Sequence, residues 1–128
     1  MRGSELPALQ PFCDLALVTT QDYAKSHQAT VRKVVAALSA ASAKIKRDPG
    51  AVAAQVQKAF YPEVSLAAIT SGLNELAVNG GGRMSAAMWD NVIAFQKAVG
   101  TQLPSGMTGA RGEGTWWTNE YLPAGSSK

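Results

Sequence analysis

Histidine and cysteine are almost missing from this chain, which holds one of each, His27 and Cys13, in 128 residues. A single cysteine excludes an intramolecular disulfide and leaves a free thiol or a bridge between chains. One cysteine and one histidine fall short of the ligand set that zinc or iron needs. No metal and no cofactor are therefore expected. Charge is thin as well: charged residues make up 16% of the chain and aromatics 7%, with a formal net charge of +3. The twelve Lys and Arg are spread from Arg2 to Lys128 and form no long basic stripe, so nucleic acid is not an expected partner. No run approaches the roughly 20 apolar residues that cross a bilayer, and the start lacks the charged, apolar and cleavage regions of a signal peptide. No membrane insertion and, as expressed, a cytoplasmic location are expected. Internal repeats and coiled-coil heptads are absent.

What the chain does have is a hydrophobic share of 46% arranged at helical spacing. Thr20 is placed to cap a short helix over 21–25. A longer helix over 28–47 carries Val31, Val34, Val35, Leu38, Ala41 and Ile45 on one stripe, and Lys44, Lys46 and Arg47 meet the negative end of its dipole. Asp48-Pro49 then pairs a capping side chain with proline at the first helical position, opening a third helix to Phe60 that is expected to bury Val52, Val56 and Phe60. Ser65 caps a fourth with Leu66, Ile69, Leu73 and Leu76 on one face, ended by Asn79-Gly80-Gly81-Gly82. Ser85 caps a fifth, in which Trp89, Val92, Phe95 and Val99 are the expected buried stripe, and Gly100 stops it. The run Leu15-Ala16-Leu17-Val18-Thr19 reads as a short buried strand.

The division expected is a leader and linker over 1–14, a helical domain over 15–103, a Gly/Ser/Pro loop over 104–114, an aromatic segment over 115–123 and a tail over 124–128. Met1-Arg2-Gly3-Ser4 has the look of an expression leader. The aromatic segment, with Trp116, Trp117 and Tyr121, is expected to dock on the body, because it carries no basic groove of the kind that base stacking needs.

Chemistry-bearing groups are sparse. Cys13 with His27 is the one thiol–imidazole pair, but Cys13 reads as a small hydrophobe and His27 as a residue of the turn before the long helix. The carboxylates are scattered singly, and Asp22, Asp48 and Asp90 fall in the first turns or caps of helices. The best local anion site is Gly80, Gly81, Gly82, Arg83 and Ser85, where backbone N–H groups, a guanidinium and a hydroxyl gather at a helix start. The alternative for that turn is a plain connector between helices. It lacks the Gly-Lys-Ser/Thr ending of a nucleotide-binding loop and follows a helix where such a loop follows a strand.

Several blocks carry a likeness. Ala16-Leu17-Val18-Thr19-Thr20-Gln21-Asp22-Tyr23, Thr30–Leu38, Asp48-Pro49 and Gly81–Val92 resemble the C-terminal region of periplasmic solute-binding proteins of the nitrate/sulfonate/taurine ABC-transporter type. Trp116-Trp117-Thr118-Asn119-Glu120-Tyr121-Leu122 resembles that family's closing segment. The resemblance implies a periplasmic parent of two α/β lobes that binds a small anion between them and docks to a membrane permease. It carries no ligand residue onto this chain.

The fold class expected is mainly α: about five amphipathic helices and at most one short strand, a fragment of a two-lobed α/β binding protein. Helices that once covered a sheet would expose apolar faces, so a homo-oligomer, such as a homodimer, is expected. The expected function is a non-catalytic, self-associating piece of a transport protein. The alternative is an acquired weak hydrolase activity on phosphate or similar anionic esters, with His27 and Arg83 as its candidate groups.

Overall fold

Four capping side chains set where helices begin. The computed structural model describes residues 10–11, 15–76, 82–103 and 112–125. Within them the chain is mainly helical, with α1 over Gln21–Ser26, α2 over Gln28–Arg47, α3 over Pro49–Phe60, α4 over Leu66–Leu76 and α5 over Ala86–Ala98. Thr20 Oγ1 accepts the Tyr23 N–H at 3.2 Å, Asp48 Oδ1 that of Ala51 at 3.0 Å, Ser65 Oγ that of Ala68 at 3.2 Å and Ser85 Oγ that of Met88 at 3.3 Å. Each side-chain acceptor satisfies an N–H that has no carbonyl partner within its own helix. Pro49 follows its cap at the first helical position, where its missing N–H costs nothing. Gly100 adopts φ +78 just beyond α5, a left-handed conformation that glycine takes without strain.

The chain divides into two compact units. One comprises Ala24–Arg83 with Tyr121–Lys128. In it α3 packs mainly on α4, and α2 touches both. Val31 and Ala53 are buried there. Ala53 is wholly enclosed, a small residue that lets helices approach closely. Gln57 Nε2 donates to the Val64 carbonyl at 2.7 Å and ties the α3–α4 turn back onto α3. The Tyr121 hydroxyl donates to the Ala24 carbonyl at 3.4 Å, and the Arg32 guanidinium lies 5.2 Å from the Tyr121 ring centroid.

The second unit comprises Met1–Tyr23 with Met84–Glu120. Its buried centre is Ile93 of α5. Trp116 meets Trp89 edge to face, with centroids 6.1 Å apart and planes at 89°, the arrangement favoured by the ring quadrupoles. A tight turn brings Glu113 and Trp117 together in an isolated bridge, with the Gly114 N–H donating to the Trp117 carbonyl at 2.7 Å.

Three expectations about burial are corrected. Leu15–Thr19 forms no strand and is exposed, Val18 by 87%, because no neighbouring strand among the described residues takes up its backbone groups. Phe60 is 73% exposed at the last position of α3. In α5 the stripe is turned: Ile93 is 5% exposed, whereas Phe95 is 36% and Val99 59% exposed. Trp116 packs on Trp89, and Ile93 lies one turn further along α5 on the same edge. On α2, Val31 is buried and Val35 half-buried, but Val34 and Leu38 are exposed. Leu76 and the expected Asn79–Gly81 cap lie outside the residues whose surroundings are described, as do 104–111 of the expected loop.

Candidate functional site

The sequence-predicted groups are described only in part. Cys13, Gly80 and Gly81 lie outside the described residues. Gly82 takes φ +78, and Arg83 after it is exposed. Ser85 spends its acceptor oxygen on the Met88 N–H as the cap of α5. That bond is a structural duty that takes one of the hydroxyl's two lone pairs, and the hydroxyl has one proton to donate.

His27 stands at the junction of α1 and α2, in the N-cap position but with no side-chain cap bond to α2. Its carbonyl accepts the Val31 N–H at 3.1 Å. Its Nδ1 and the Ser26 Oγ share a hydrogen bond of 2.8 Å. Serine beside imidazole is the pairing of nucleophile and base, and Ser26 is a residue that sequence reasoning passed over. Both residues are exposed. In water an alkoxide forming at Ser26 would meet a high dielectric, without the dry, preorganised donors that lower an acyl-transfer barrier.

An apolar concavity lies elsewhere among the described residues. A groove of about 360 Å³ runs between α3 and α4, lined by Val56, Tyr61, Val64, Ala68, Ile69, Gly72 and Leu73. Its walls are almost entirely carbon. Such a surface takes an apolar side chain and rejects a free anion, because an ion moved there loses its hydration without gaining a donor. None of His27, Gly82, Arg83 or Ser85 lines it. The groove could be found in the sequence only as two helical stripes facing one another across the Tyr61–Ser65 turn.

Among the described residues no group of three or more His, Cys, Asp and Glu side chains stands close enough to share a metal ion, and no helix is long and apolar enough to cross a membrane. No family model, curated protein or solved structure matches the chain.

The chain's surfaces are unusual in what they leave uncovered. Among the described residues the buried hydrophobic positions are Ala24, Val31, Ala53 and Ile93, and no large side chain is fully enclosed. Leu15, Leu17, Val18, Leu38, Phe60, Tyr61 and Val99 are each more than half exposed. Single exposed apolar residues are ordinary, but here the exposed large hydrophobic residues outnumber the buried ones among the described residues.

Proposed function

We propose that the chain is a non-catalytic helical piece of a solute-binding protein of the nitrate/sulfonate/taurine transporter type, and that it covers its apolar faces by self-association. The observation that carries the self-association is the imbalance between a core of three small or medium aliphatic side chains plus Ile93 and the exposed Leu15, Val18, Leu38, Phe60 and Val99. Burying apolar area at about 25 cal/mol per Å² is the largest favourable term open to such a chain. The family reading rests on the resemblance of the 16–23, 30–38, 81–92 and 116–122 blocks. In that reading the helices are the outer layer of a two-lobed α/β parent, periplasmic and docked to a permease.

The parent's ligand would be a small anion. Arg83 and the glycines before it are the place proposed for one in this chain, since a guanidinium supplies charge-assisted donors that a carboxylate, sulfate or phosphate accepts. The measurement that tests this is a melting screen with those anions. Binding to the folded state raises stability by about 2.7 kcal/mol at a hundredfold excess over Kd. A shift that disappears in Arg83→Ala supports the site, and a flat screen removes the anion from the proposal.

A further inference from the structure

We draw no further inference here: the strongest candidate, the apolar groove between α3 and α4 lined by Val56, Val64, Ile69 and Leu73, carries nothing, because nothing in the structure shows what covers it.

Discussion

The side chain of Asn119 holds both backbone polar groups of Met84: its Oδ1 accepts the Met84 N–H at 2.9 Å, and its Nδ2 donates to the Met84 carbonyl at 3.0 Å. Asn119 is itself fixed, since its own N–H donates to the Glu113 carboxylate at 2.8 Å. Met84 directly precedes Ser85, the cap of α5, so one amide side chain ties the aromatic segment to the start of that helix. Replacing Asn119 by Ala leaves two partly buried backbone groups without partners and should cost about 1–3 kcal/mol. Asn119→Asp should be no better, because it keeps the acceptor but sets a carboxylate oxygen against the Met84 carbonyl. Urea unfolding checks both, and an unchanged midpoint in both variants would show that the clamp contributes nothing.

The Trp89 indole Nε1 is buried and has no hydrogen-bond partner among the described residues. A donor left in that state opposes folding, although the ring it belongs to packs against Trp116. Trp89→Phe keeps an aromatic ring and removes the orphan donor, so its loss should stay under about 1 kcal/mol, against about 3 kcal/mol for Trp89→Ala. Thermal melts of the two variants give the comparison. Equal losses would mean that the indole N–H is satisfied in solution.

In α5 the ranking of two neighbours is a direct test of which face is inward. Ile93→Ala should cost about 2–5 kcal/mol, and Phe95→Ala less than that despite removing more carbon, since Ile93 is enclosed and the Phe95 ring is partly in water. Chemical denaturation of both single variants decides it, and the reverse order would restore the stripe expected from periodicity.

How much of this could be read from the residues follows from the range over which each cause acts. Thr20, Asp48-Pro49, Ser65 and Ser85 mark helix starts because a cap bonds an N–H three residues away, and the chain carries that information locally. The facing of the helices was less legible. Phe60 and Phe95 sit on apolar stripes, but which edge of a stripe is covered depends on partners distant in sequence, such as Trp116 for α5. Asn119 gave no signal, since a short amide becomes a clamp only when Met84 is brought beside it. The likeness of the Gly81–Val92 block pointed to a transport family, while the geometry it would predict for Gly80 and Gly81 lies outside the described residues.

The hydrolase alternative has a sharp test. Its base would be the His27 imidazole, with Ser26 Oγ 2.8 Å from its Nδ1 and Arg83 as the anion-binding group. The account expects no turnover of a phosphate or carboxylate ester above the buffer rate. Should purified protein show turnover, His27→Ala, Ser26→Ala and Arg83→Ala separate the cases: loss of rate in these variants would make the chain an enzyme at this junction, and full rate in all three would assign the activity to a contaminant or to other groups.

The central claim is that the exposed apolar faces are covered by another copy of the chain, and the most direct measurement is the particle mass by light scattering across micromolar concentrations. The account predicts a mass above that of one 13.4 kDa chain, rising with concentration and reduced when Val34 and Leu38 are both replaced by Ser. A mass of one chain throughout that range would contradict it.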